Sequence, residues 1–305
     1  MKKSIKLILI ILILSYGLDK VVYFSLNNIS DRVLSGQAIG KLNQFLQEKD
    51  NLHHIVFGTS RANHHIDVNQ FSKAGFNMGM DGSSIAYSST LIKLLPRKKE
   101  QIVIWHIDPK RVFDHSYNAD DIKGLVTKFH RNDIIKTEIK NVHQDNPIQS
   151  FYWSLDYNGK ALGIIKNLIH PSYDFESYNG FDPIKVSETQ KTIFEKILLR
   201  NDSKDCSDRY IISPLVKKYL EEVKRFCDEN NKTLIMITSP TYKIDCANQY
   251  SALSKIFKEM NIPYYNYSSY FESNNSIDYW KDLTHLSDKG AQIFSRFLKN
   301  MLAEY

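Results

Sequence analysis

Two apolar runs, Ile102–Ile107 (IVIWHI) and Thr233–Thr238 (TLIMIT), limit the fold more than any other feature of this chain. Neither alternates apolar with polar residues, so neither can rest one face in water; a β-rich run of this kind lies inside a sheet covered on both sides. Ile55–Phe57 and Pro263–Asn266 read as shorter strands. Between the strands, Ile85–Leu95, Pro214–Asn230, Tyr250–Met260 and Ser287–Leu302 have helical character. The second of these begins with Ser213 in the N-cap place and Pro214 at the first helical position. Strands alternating with helices predict an α/β sandwich built on a parallel sheet.

The 305 residues, 42% hydrophobic and 24% charged, are enough to bury a sizeable core. A net charge of +6, from 40 basic against 34 acidic residues spread along the chain, leaves no nucleic-acid footprint. Met1-Lys-Lys-Ser-Ile-Lys6 followed by the apolar run Leu7–Leu14 has the form of a secretory signal. No small-x-small cleavage site follows. Asp19-Lys20 interrupts and Val21–Phe24 resumes the apolar character, so Ile5–Phe24 reaches spanning length with Asp19 and Lys20 at the outer interface. The expectation is an uncleaved signal anchor over residues 1–24, with Lys2, Lys3 and Lys6 inside and the rest of the chain outside the cytoplasmic membrane. Residues 25–50 read as a stalk or a first covering helix, and 51–305 as the folded domain. Within it, residues 114–208 break the alternation and read as an insertion over the carboxyl edge of the sheet, where α/β folds place ligands. Its aromatics (Phe151, Tyr152, Trp153, Tyr173, Phe175, Tyr178, Phe181) suit packing of the insertion, or stacking on sugar rings. Cys206, Cys227 and Cys246 lack metal-ligand spacing and read as inert thiols; a Cys206–Cys246 disulfide is the alternative outside the cytosol.

Chemistry concentrates in Ile55-Val-Phe-Gly-Thr-Ser60-Arg61 and Asp282-Leu-Thr-His285, at opposite ends of the chain. The first is a strand ending in a turn that exposes a serine beside unpaired backbone amides; the second offers a carboxylate and an imidazole from one turn, just before a helix. Nucleophilic catalysis needs this set: a hydroxyl, a base to take its proton and an acid to orient the base.

Gly58-Thr-Ser60 together with Asp282-x-x-His285 resembles the first and last sequence blocks of the SGNH/GDSL hydrolases. Asn77-Met-Gly79-Met-Asp-Gly82, beginning 17 residues beyond Ser60, is similar to that family's glycine block. The resemblance spans about residues 51–302 apart from the insertion. It implies a three-layer α/β/α (flavodoxin-like) fold with Ser60, Asp282 and His285 catalytic and the amides of Ser60 and Gly79 forming an oxyanion hole. Two blocks depart from the pattern: Thr59 replaces the Asp before the serine, and Trp105-His-Ile-Asp108-Pro109 stands where the Gly-x-Asn-Asp block would be. With the anchor, these features look like the SGNH-like proteins of envelope polysaccharide O-acylation systems. That implies a serine O-acyltransferase or esterase with a cell-surface glycan acceptor and a membrane-bound O-acyltransferase as donor. A non-catalytic glycan-binding or assembly subunit of the same fold is the alternative.

Other residues have ordinary readings beside functional ones. Arg61, Asn77 and Asp108 are candidates for substrate contact, but Arg61 equally suits a structural salt bridge and Asp108 a cap before Pro109. Asp282 itself would serve as a helix-capping turn. His106 reads as a core histidine. The pairs His53-His54 and His64-His65 raise a metal site, yet neighbours on a strand face opposite ways and no cysteine or carboxylate cluster accompanies them, so no metal or cofactor is expected.

Overall fold

A computed structural model describes residues 2–171, 175–199, 206 and 209–305. In chain order the main elements are α1 (Lys2–Asp31), α2 (Lys41–Glu48), β1 (His54–Phe57), α3 (Ser60–His65), β2 (Gly75–Asn77), α4 (Ile85–Ile92), β3 (Gln101–His106) and α5 (Pro109–Val112). They continue with α6 (Asp133–Asn141), α7 (Pro147–Phe151), α8 (Ala161–Ile169), α9 (Phe175–Tyr178) and α10 (Glu188–Leu198). The last are α11 (Pro214–Glu229), β4 (Lys232–Thr238), α12 (Ala247–Glu259), β5 (Tyr264–Asn266) and α13 (Asp288–Leu302).

The strands form one parallel sheet in the order β2-β1-β3-β4-β5, with Val56 opposite Ile104 and Ile104 opposite Ile235. Side chains alternate between two cores. Ile55, Phe57, Val103, Trp105, Leu234 and Met236 pack under α2, α4, α11 and α12. Val56, Ile102, Ile104, Ile235 and Ile237 face α3, α10 and α13 on the other side. This is the α/β architecture that the two-sided apolar runs demand, with an apolar helix ahead of it. β2 escapes the sequence reading because Gly75-Phe-Asn77 has three residues and no β-branched one. Ser213 occupies the N-cap place of α11 without a side-chain capping bond, whereas Ser287 caps α13 by accepting the Gly290 amide at 3.3 Å.

In residues 25–50, helix α2 covers one face of the sheet. Leu42 and Phe45 of α2 are wholly buried in the first core, and the second half of α1 buries Tyr23, with Leu26 and Ile29 beside it, against Tyr157 and Ile164. Helix α1 extends about 45 Å, and its first half stands exposed while Asp19, Tyr23, Asn27 and Ser30 are buried. The described residues of the 114–208 segment contribute to both cores. Its first part packs on α1 and α4, because Ile122, Leu125, Ile135 and Ile139 join the core on that face. Residues 179–184 lie at the carboxyl edge: the Asn179 carbonyl accepts the Asn77 amide (2.8 Å) and the Asp182 amide donates to the Asn63 carbonyl (3.1 Å). Among its aromatics, Trp153 and Phe181 pack inward; Tyr173 and the side chain of Phe175 lie outside the described residues. Cys206 and Cys246 form a disulfide, and Cys227 is a buried thiol.

Candidate active site

The turn between β1 and α3 explains why Ser60 is presented as it is. Gly58 has φ +144°, and a Cβ there would come within 2.9 Å of the side chains of Ala62 and His106. A glycine is therefore required where the chain leaves the sheet. Thr59 is the N-cap of α3, its hydroxyl accepting the Arg61 amide at 3.4 Å. An Asp would cap the same way. Ser60 is the first residue of α3, so its amide has no acceptor within the helix.

Ser60 Oγ lies 2.9 Å from His285 Nε2. On the other side of the ring, His285 Nδ1 is 2.9 Å from Asp282 Oδ2. Asp282 Oδ1 meanwhile accepts the amides of Thr284 (2.8 Å) and His285 (2.9 Å), locking the carboxylate into its own turn. Burial pushes the Asp282 carboxyl upward, but these bonds outweigh it and hold the group well below the usual carboxylate range. An ionised Asp282 fixes the proton on Nδ1, leaving Nε2 free to accept one from Ser60. All three side chains are partly exposed and open to a reactant.

The remaining sequence candidates are placed otherwise. Asn77 is fully buried, donating to the Ala62 and Ile66 carbonyls (2.8 and 2.7 Å) while its Oδ1 accepts the Gly79 amide at 2.8 Å. The second expected oxyanion donor is thereby taken by the loop's own side chain. Gly79 is needed for closeness instead, since a Cβ would sit 2.4 Å from the Asn63 amide nitrogen. Arg61 is buried with its guanidinium on the Ser239 and Pro240 carbonyls, away from Ser60. Asp108 caps α5 through the Lys110 amide at 3.0 Å.

Three residues matter more here than sequence reasoning allows. The His65 Nε2 accepts the Leu286 amide (3.0 Å), so the proton is on Nδ1, which donates to Ser239 Oγ (2.8 Å). Ser239 Oγ also lies 2.9 Å from His106 Nε2. His65 thus ties the helix bearing the nucleophile to the residue following the base. His64 faces acceptors at both nitrogens: the Asp182 carbonyl at Nδ1 (2.7 Å) and the Asp81 carboxylate at Nε2 (3.0 Å). Acceptors at both nitrogens favour the protonated ring, which stands 6.1 Å from that of His285. Burial opposes that charge, but the two acceptors outweigh it and raise the His64 pKa. Lys41 is fully buried and donates to Asn63 Oδ1 (2.7 Å) and to the Gly79 carbonyl; burial lowers it to about 7 despite the charges of Asp182 and Asp81. The available signal was the i, i+4 spacing of Ser60 and His64, and of Arg61 and His65, which assigns each pair to one helix face. His64 and His65 lie on a helix, not a strand, and each is absorbed by its own partners; among the described residues no group of three or more His, Cys, Asp or Glu could hold a metal.

No protein family and no curated protein sequence matches the chain.

Proposed function

We propose that this protein is an extracytoplasmic, membrane-anchored serine O-acyltransferase or esterase of SGNH/GDSL type, moving an acetyl or similar acyl group onto or off a cell-surface polysaccharide. One observation carries the reading: Ser60, His285 and Asp282 stand in an unbroken relay at 2.9 Å per step across 225 residues of sequence. The apolar first half of α1 and the Cys206–Cys246 disulfide favour a domain outside the cytosol.

In this mechanism Ser60 Oγ attacks the donor's ester carbonyl while His285 Nε2 takes its proton. The tetrahedral oxyanion faces the Ser60 amide at the start of α3. Collapse expels the donor's alkoxide, which leaves with the proton from His285, and the acyl group stays on Ser60. A sugar hydroxyl then gives its proton to His285 and attacks the acyl-serine; the acyl bond to Ser60 Oγ breaks, Oγ takes the proton back from His285, and the new sugar ester departs; water in place of the sugar gives hydrolysis. A membrane-bound O-acyltransferase would supply the donor.

The test is intact-protein mass spectrometry of the full chain in detergent after brief exposure to an activated acetyl ester, beside Ser60→Ala and His285→Ala. One acetyl adduct on Ser60, absent from both variants, is expected. A folded protein that takes no adduct would overturn the reading. It would favour the second one, a glycan-binding or assembly subunit, for which the specific observation is that Asn77 occupies the Gly79 amide. That subunit would bind glycan equally well without His285.

A further inference from the structure

Helix α1 parts from the body of the protein near Asp19–Lys20, and the surface around that exit is unusual. The Asp19 carboxylate accepts the amides of Trp153 (2.9 Å) and Ser154 (3.0 Å). Lys20 Nζ donates to the Phe151 carbonyl at 2.7 Å and lies 4.2 Å over the Trp153 ring. One turn earlier, the Tyr16 ring is 4.9 Å from that of Phe151, and Ser15 Oγ is 3.2 Å from the Tyr152 hydroxyl. Helix α7 and the turn after it are thus strapped to α1 at the level of residues 15–20. Yet α7 buries none of its own residues. Ile148 is 63% exposed and Phe151 52%, with Leu155 at 38% beside them.

Length sets the height of this patch. From Lys2 to Lys20, α1 rises about 27 Å, close to the roughly 30 Å of a bilayer's hydrocarbon core. A surface fastened to residues 15–20 therefore meets the outer headgroup boundary whenever α1 crosses the membrane. Its composition suits that zone: Tyr16, Tyr152 and Trp153 have an apolar body and a polar tip, and Lys20 can reach the headgroups. Exposed together in water, Ile148 and Phe151 would be an uncompensated apolar patch at that place.

We propose that α7 is an interfacial membrane-docking element, with Ile148 and Phe151 entering the headgroup–acyl boundary of the outer leaflet beside α1. The inference rests on reading α1 as a bilayer-crossing helix. It means that the domain is seated on the membrane at two points and holds a set orientation, with the Ser60 edge at a constant height above the lipid.

Single cysteines at Ile148, Phe151, Leu9 and Leu199 can each be labelled with an environment-sensitive fluorophore in the full chain, because Cys227 is buried and the other two native cysteines are paired. All four host residues are exposed, so the label displaces no core contact. The protein is placed in phosphatidylethanolamine–phosphatidylglycerol nanodiscs with or without acyl-brominated lipid. Probes at 148, 151 and 9 should lose most of their emission to brominated lipid and resist aqueous iodide, while the probe at 199 behaves oppositely. Probes at 148 and 151 that respond to iodide as 199 does, with 9 still quenched by lipid, would overturn the docking element and leave the anchor intact. Shielding from iodide without quenching by lipid would also overturn it, in favour of a protein partner or a second copy. Failure at position 9 as well would remove the anchor on which the inference stands.

Discussion

Asp282→Asn separates the orienting role of this carboxylate from its structural one. In the wild type Oδ1 holds the Thr284 and His285 amides, at 2.8 and 2.9 Å, while Oδ2 faces His285 Nδ1 at 2.9 Å. An asparagine keeps its carbonyl oxygen on the two amides, because turning it round would put an NH2 against two N–H donors and forfeit about 1–3 kcal/mol for each unmade bond. The NH2 then occupies the Oδ2 place and donates to Nδ1. The imidazole proton moves to Nε2, which now points a donor at Ser60 and cannot accept its proton. In serine proteases the same wrong-tautomer change lowers turnover about 10⁴-fold; at 1.36 kcal/mol per tenfold, that is about 5 kcal/mol of barrier. The turn keeps two of its bonds, so folding stability should fall by only about 1 kcal/mol. The assay is the rate of Ser60 acetylation by intact mass, beside urea unfolding of the same samples. An acylation rate within tenfold of wild type, in a variant of near-native stability, would refute the relay.

Three further outcomes follow from groups around the site. Lys41→Met leaves Asn63 Oδ1 and the Gly79 carbonyl without their buried donor, and should cost about 2–5 kcal/mol in chemical denaturation. Because burial lowers Lys41 to about 7 against roughly 10.4 unfolded, the unfolded chain binds more protons between those values; the wild type should gain stability relative to the Met variant as pH rises through that window. His64 works in the opposite sense. Its raised pKa contributes stability fully below about 6.5 that disappears as pH rises through the folded value, so His64→Ala should cost about 2 kcal/mol at pH 6 and clearly less at pH 9 by the same measurement. Reducing the Cys206–Cys246 bond, which closes a separation of 40 residues, should remove roughly 4 kcal/mol on the chain-entropy model and lower the melting temperature under dithiothreitol; an unchanged melting temperature with both thiols free would contradict this.

Much of this architecture was legible in the chain because its determinants are local. IVIWHI and TLIMIT specify strands buried on both faces whatever surrounds them, and the observed alternation of their side chains between two cores follows from a period of two. Asp282-x-x-His285 closes on itself within one turn. The apolar run behind Lys2, Lys3 and Lys6 reads as an anchor from its local pattern, and it lies in a long helix. Tertiary structure decided what depends on distance through space. It brought His285 to Ser60, gave β2 its place beside β1 despite weak strand propensity, and packed part of the 114–208 segment on α1 and α4. It also decided which polar groups were spent internally: the Gly79 amide on Asn77, Arg61 on the Ser239 and Pro240 carbonyls, His65 on the turn that carries the base. A sequence states which donors and acceptors a chain owns, but burial makes each of them take whichever partner packing brings within about 3 Å, and that pairing is a property of the folded molecule.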